Sequence, residues 1–184
     1  MSAKQLILPL NQEQIRELRA GDRVELTGMM YTGRDAAHKR MAETLQAGGS
    51  LPVDLAGQTI YYVGPTPAKP GQVIGSAGPT TSSRMDPYTP VLLAQGLKGM
   101  IGKGSRSEAV KNAIVQSEAV YFAAIGGAGA LIAKTIRSAE MVAYHDLGTE
   151  AIYRLEVERF PVIVINDGVG GDLYQQSLDS TRND

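Results

Sequence analysis

Gly78-Pro79-Thr80-Thr81-Ser82-Ser83-Arg84-Met85-Asp86, then Gly99-Met100-Ile101-Gly102-Lys103-Gly104, then Ala119-Val120-Tyr121-Phe122-Ala123-Ala124-Ile125 is the stretch on which the fold turns. From Gly78 onward, loops, helices and strands alternate. A helix expected over 82–95 leads to an apolar strand near Met100 and Ile101, and a second over 107–116 leads to a strand over 119–125. Gly126-Gly127-Ala128-Gly129 then opens a helix over 130–136, and strands follow near 141–144, over 152–157 and over 162–165. Phe160-Pro161 reads as the break between the last two strands, since proline cannot donate to a ladder.

Working back from Gly78, Pro65, Pro67 and Pro70 make a stiff or hairpin-like connection before a short strand expected over 73–76. It follows an Ile- and Tyr-rich strand over 59–63. Ala37, Met41 and Leu45 share one face of a helix expected over 35–47, which Gly48-Gly49-Ser50 ends. Val24 and Leu26 alternate with Arg23 and Glu25 in a strand running to Met30 or Tyr31. Asn11 can cap a helix through Arg19, with Gly21 as its stop. The polar segment 175–184 is expected to fray as a flexible tail. No linker or repeat divides the chain. The reading is one α/β domain over 1–184 with a mixed sheet, because hairpin-like and crossover-like connections both occur.

Composition removes several classes of function. The 18 basic and 19 acidic residues leave a net charge of -1, which argues against a sequence-independent nucleic-acid binder. No apolar run reaches membrane-spanning length, and no basic-then-apolar leader opens the chain, so neither a membrane nor a secretory destination is expected. With no cysteine, a disulfide, a thiolate nucleophile and a cysteine-held metal are excluded from these 184 residues. His38 and His145 lie too far apart for metal-ligand spacing, and no metal site is expected. Only glycine is unusual: 21 residues, and they cluster.

Three of those clusters fall at strand-to-helix junctions: Thr32-Gly33-Arg34-Asp35, Gly78 to Arg84, and Ile101-Gly102-Lys103-Gly104. Each sets a flexible residue at a strand end and a cation near a helix start, where unpaired N–H groups and the helix dipole favour anions. Taken singly, Arg34 and Arg84 read as solvated cations, Lys103 as part of a turn, and Thr80 to Ser83 as capping residues. Three convergent loops point instead to a carboxylate or phosphate site. Nucleotide motifs do not account for them. Gly96 and Gly102 are separated by five residues where a P-loop needs four, and Gly104 follows Lys103 where Ser or Thr is required. Gly127-Ala128-Gly129 starts a dinucleotide fingerprint that Ile132 then breaks, so close backbone packing explains those glycines better. His38 reads as a surface or half-buried helix residue and His145 as a local hydrogen-bond partner of Asp146. Tyr61, Tyr62, Tyr121 and Phe122 read as sheet-face and core residues.

The loop sequences resemble a known family. Tyr31 to His38, Gly78 to Asp86 and Ile101 to Gly104 look like the β-subunit, or C-terminal domain, of the iron–sulfur-dependent class I fumarate hydratases. So do Gly126 to Ala130, Leu147-Gly148-Thr149-Glu150-Ala151-Ile152 and Glu156 to Pro161, all in the same order. The L-tartrate dehydratase β-subunit is similar too, sharing Gly-Pro-Thr-Thr and Gly-Lys-Gly. Asp35, the alanines after it and Arg84-Met85-Asp86 look more like the fumarase side. The resemblance implies a swivelling β/β/α fold and a hydro-lyase that reversibly dehydrates (S)-malate to fumarate. It implies Arg34, Arg84 and Lys103 as the substrate-carboxylate clamp, and Thr80 as the base for the C3 proton.

The reaction also needs a Lewis acid for the departing hydroxyl. The family's [4Fe–4S] cluster is cysteine-held, and this chain has no cysteine, so the resemblance implies a partner α-subunit carrying it, in an α2β2 complex. Oxygen sensitivity of such clusters, with the missing leader, points to the cytoplasm. A tartrate or related 2-hydroxy dicarboxylate dehydratase β-subunit is the alternative. A non-catalytic module that binds small anions is the reading from another class.

Overall fold

The computed structural model describes residues 2–125 and 129–182. Gly126, Gly127 and Ala128, the first three residues of the glycine run, lie outside the described residues. β1 (Lys4–Ile7) is followed by α1 (Gln12–Glu17), which begins in a reciprocal cap. The Gln14 N–H donates to the Asn11 side chain at 2.8 Å, and the Asn11 N–H donates to the Gln14 side chain at 3.0 Å. β2 (Arg23–Thr32), α2 (Asp35–Gln46) and β3 (Thr59–Tyr61) lie where hydrophobic periodicity puts them. Further along, a short α3 (Thr89–Leu93) precedes β4 (Gly99–Gly102), α4 (Glu108–Gln116) and β5 (Val120–Ala124), the last three again at their expected places.

Four expectations are corrected. The helix expected over 82–95 is a 3₁₀ turn over Ser82–Met85 and the separate α3. Pro87 and Pro90 lack the N–H groups that one continuous helix would need, and Pro90 sits in the first turn of α3 where that lack costs nothing. The strand expected over 73–76 is absent. Gly75 and Ser76 instead fold back on Thr66, whose carbonyl accepts from the Gly75 N–H at 3.1 Å and whose hydroxyl accepts from the Ser76 N–H at 2.7 Å. The helix after the glycine run is a short α5 (Gly129–Ala133), and Ile136 already belongs to β6 (Ile136–Ala143). The two final strands are one, β7 (Ile152–Asn166), bent rather than broken before Pro161. At the bend Arg159 takes φ 52°, and its N–H donates to the Thr27 hydroxyl at 3.0 Å. Residues 173–182, where the polar tail begins, form an exposed α6 (Leu173–Arg182). Among the described residues, no helix is long and apolar enough to cross a membrane.

The seven strands run in the order β1-β2-β3-β4-β5-β7-β6. β2, β3, β4 and β5 are mutually parallel, and β7 pairs antiparallel with β5 on one side and β2 on the other. The strands β2-β3-β4-β5-β7 therefore close into a ring. Consecutive strand residues point to opposite faces, and two apolar cores result. Tyr61, Ile101, Phe122, Phe160, Val162 and Val164 fill the first, within the ring. Ile60, Tyr62, Met100 and Tyr121 face outward and pack with Met41 of α2, Leu92 of α3 and Val110 and Ile114 of α4. This is a mixed α/β domain with a mixed seven-stranded sheet.

Candidate functional site

Parallel pairing in the registers Thr32↔Tyr61 and Tyr61↔Ile101 puts the carboxyl ends of β2, β3 and β4 on one rim. All three glycine-and-cation loops meet at that rim. The Gly33 N–H donates to the Tyr61 carbonyl at 3.0 Å and the Thr80 N–H to the Tyr62 carbonyl at 2.7 Å, so both loops continue the ladder past the strand ends. The third loop is stitched to the second. The Lys103 N–H donates to the Thr80 carbonyl at 3.3 Å, and the Ser82 N–H donates to the Lys103 carbonyl at 2.8 Å. Thr80 and Lys103, distant in sequence, are side by side.

Asp35 joins the other two cations. Its Oδ1 accepts from Arg84 Nε at 2.8 Å and its Oδ2 from Arg34 Nε at 3.4 Å, while Glu150 Oε1 also lies 3.4 Å from Arg34 Nε. Both carboxylates thus hold the Nε atoms. Among the described residues the Nη1 and Nη2 atoms of Arg34 and Arg84 make no hydrogen bond. Those edges are the fork that takes a carboxylate through two parallel N–H bonds. Burial by itself would raise the Asp35 pKa; its own backbone N–H, Arg84 and Arg34 outweigh burial and hold it below the ordinary carboxylate value. Arg34 reaches this position across Gly64, where an added Cβ would lie 2.8 Å from its Cδ and 2.9 Å from its Nη1.

The capping reading of Thr80 does not match the geometry. The 3₁₀ turn starts at Ser82, its N-cap is Thr81, and no side chain caps it. Ser82 does not cap either: it is buried, and its hydroxyl bonds the Tyr121 hydroxyl at 2.8 Å. Thr80 is half-buried, and among the described residues its hydroxyl makes no hydrogen bond. Lys103 is exposed and, among the described residues, makes no ion pair. Two grooves, of about 600 and 330 Å3, lie under the Pro65–Pro70 excursion and contain none of Arg34, Thr80, Arg84 or Lys103. They are mainly apolar, and although Lys69 and Lys134 line the larger one, neither gathers an arginine; the rim, which brings together Arg34, Arg84 and Lys103, is the better candidate.

A family model described as Fumarase C-terminus matches residues 2–177. The chain belongs to that family. As a Fumarase C-terminus domain it is 40% identical over 165 residues to the anaerobic class I fumarate hydratase of Escherichia coli, covering 89% of this chain and 30% of that protein. It is 40% identical over 156 residues to the mitochondrial fumarate hydratase 1 of Leishmania major, covering 84% and 28%. It is 36% identical over 173 residues to a putative L(+)-tartrate dehydratase subunit beta of Methanocaldococcus jannaschii, covering 91% and 89%. The chain therefore spans about a third of the length of the fumarate hydratases and nearly all of the tartrate dehydratase subunit.

Several residues of this Fumarase C-terminus domain lie where local sequence does not place them. His38 is fully buried rather than at the surface, with Nδ1 3.0 Å from the Arg34 carbonyl and its ring edge-on to Tyr62 at 5.2 Å. Burial, helped by the Arg106 charge, pushes its pKa down to about 4 against the opposing pull of the Arg34 carbonyl and Asp35. The spacing of His38, Met41, Ala42 and Leu45 continues the buried stripe of α2 and is the signal that could have found it. His145 is exposed and makes no local pair with Asp146, which instead takes a two-pronged bond from Arg40 at 2.8 and 2.7 Å. Arg106, which the sequence pattern does not single out, lies between Ser105 and Ser107 and has a side chain with no exposure at all. The glycine-packing expectation holds at Gly129, where an added Cβ would lie 2.6 Å from the Gly78 nitrogen.

Proposed function

We propose that this chain is the dicarboxylate-binding β-subunit of a hydro-lyase that interconverts (S)-malate and fumarate. One observation carries the proposal: Asp35 gathers Arg34 and Arg84 by their Nε edges beside the Thr80–Lys103 pair, within a Fumarase C-terminus domain. The open guanidinium edges bind and orient one substrate carboxylate. Lys103, a point charge on a flexible stem, neutralises the second, or the charge that builds on it as the C3 proton leaves. Thr80 Oγ1 accepts that proton. A threonine hydroxyl is a weak base, and the neighbouring cations favour its deprotonated form.

The [4Fe–4S] cluster implied by the family resemblance does not fit this chain. There is no cysteine, and among the described residues no group of three His, Asp or Glu could hold a metal. We therefore assign the cluster to an α-subunit, in an α2β2 cytoplasmic complex, with the cleft between the chains. A tartrate dehydratase β-subunit is the second reading, favoured by the Methanocaldococcus jannaschii relative that the chain covers over 89% of its length. The test is anaerobic purification with the iron–sulfur partner and assay of malate, tartrate and methylated 2-hydroxy dicarboxylates. Malate turnover by the complex and none by the 184-residue chain alone is expected. Turnover by the metal-free chain would overturn the proposal, and turnover of tartrate alone would select the second reading.

A further inference from the structure

Arg106 lies behind the rim with its side chain fully buried, yet it bonds Asp86 at the end of one loop that carries the proposed chemistry and packs on Tyr121, which bonds the other. Its Nε donates to Asp86 Oδ1 at 2.7 Å, and its Nη2 donates to the Thr89 hydroxyl at 2.8 Å and the Tyr62 hydroxyl at 3.3 Å. Its guanidinium stacks between two rings, 5.3 Å from the Tyr62 centroid and 4.8 Å from that of Tyr121. The second Asp86 oxygen accepts from the Ser107 N–H at 2.7 Å, so Asp86 ties the end of the Thr80–Asp86 loop to the start of α4. Tyr121, held under Arg106, extends the tie towards the rim. Its hydroxyl bonds Ser82 at 2.8 Å and donates to the Gly104 carbonyl at 2.7 Å. A Cβ on Gly102 would collide with Ser82 Oγ and lie 3.2 Å from the Thr80 carbonyl oxygen, so a larger residue there would push the two loops apart.

We infer that Arg106 is a positioning residue: with Asp86 and Tyr121 it staples the Thr80–Arg84 loop to the Lys103 loop and so sets the spacing of the three groups those loops present. A lysine there keeps a charge but cannot reach Asp86, Thr89 and Tyr62 together. A purely structural role would lower stability evenly. The staple has a local signature, since the amides of Ser82 and Lys103 are the hydrogen bonds between the loops.

The inference rests on the proposed dicarboxylate site only for its functional consequence. Amide hydrogen exchange on the full chain, comparing wild type, Arg106→Lys and Tyr121→Phe, tests the staple itself. Protection at Ser82 and Lys103 should fall at least about tenfold, with strand amides of β4 and β5 unchanged. In the complex with its partner, KM for malate should rise about tenfold in both variants. Uniform loss of protection, or none, would overturn the inference. Should Arg106→Lys not fold, Tyr121→Phe, which keeps the ring in the core, decides alone. Loosened loops without any malate activity even in wild type would uphold the staple and reject the dicarboxylate reading.

Discussion

The inside of the ring and its helix-covered outer face are built from the same strands, yet they are chemically opposite. Tyr61, Ile101 and Phe122 point inward to apolar neighbours, and the Tyr61 hydroxyl there donates to the Ala77 carbonyl. Their sequence neighbours Tyr62, Met100 and Tyr121 point outward to a layer that also buries His38, Ser82, Thr89 and Arg106. Each of those four polar groups contacts a loop of the rim or the residue that anchors one. The inner face holds the domain together; the outer face aims the loops.

That division can be broken by substitution on either side. Phe122→Ala, inside the ring, should lower unfolding free energy by about 3–5 kcal/mol while leaving malate KM in the partnered complex unchanged. A raised KM would show that the inner face also positions the site, and chemical denaturation with steady-state kinetics reads both. Thr80→Ala, on the rim, should do the reverse: turnover falls by roughly 10²–10⁴ with unfolding essentially unaltered. Near-normal turnover would remove Thr80 as the base.

His38 offers a pH test of the outer layer alone. Its folded pKa, about 4, lies below the ordinary 6.5, so the unfolded chain binds the extra proton between those values. Stability is thus fully present above about pH 6.5 and lost as the pH falls towards 4, by about 3 kcal/mol in all. Thermal melts from pH 7 to 4 should show this slope in wild type and a shallower one in His38→Gln. An unchanged slope would place the titration elsewhere. Smallest, Arg34→Lys should cost about 1–3 kcal/mol of transition-state binding, read as kcat/KM, because a lysine keeps the charge and loses the fork. Full activity would mean that the open guanidinium edge binds nothing.

Much of this architecture is legible in the amino-acid sequence alone. Strand alternation and helix caps locate β2, β4, β5, α1, α2 and α4, because those signals are local. The three loops are legible because a glycine beside a cation at a strand end is unusual. What local pattern misplaces has a common physical origin. Whether Phe160-Pro161 ends a strand depends on the neighbouring strand β2, where the Thr27 hydroxyl takes the Arg159 N–H. Whether Arg106 is buried depends on two tyrosines and a carboxylate drawn from three other segments. Asp35 is visible as a helix-start acid, but its bridge between Arg34 and Arg84 exists only once two loops share a rim. Local pattern reports what a residue can do; partners distant in the chain decide which of those things it does.

The continuity of β7 has a consequence for how the molecule assembles. Its 15 residues supply the pairing for β2, β5 and β6 alike. Until Ile152–Asn166 is synthesised and docked, β2 and β5 expose unsatisfied strand edges, and the parallel pairs between them join segments far apart in sequence. Folding is then governed by long-range closure rather than by local nucleation, and it should be slow for a chain of this size. A nascent or truncated chain ending after β6 would carry open edges able to pair with other copies. The strand that completes the ring is also the one that covers the free edges of β2 and β5.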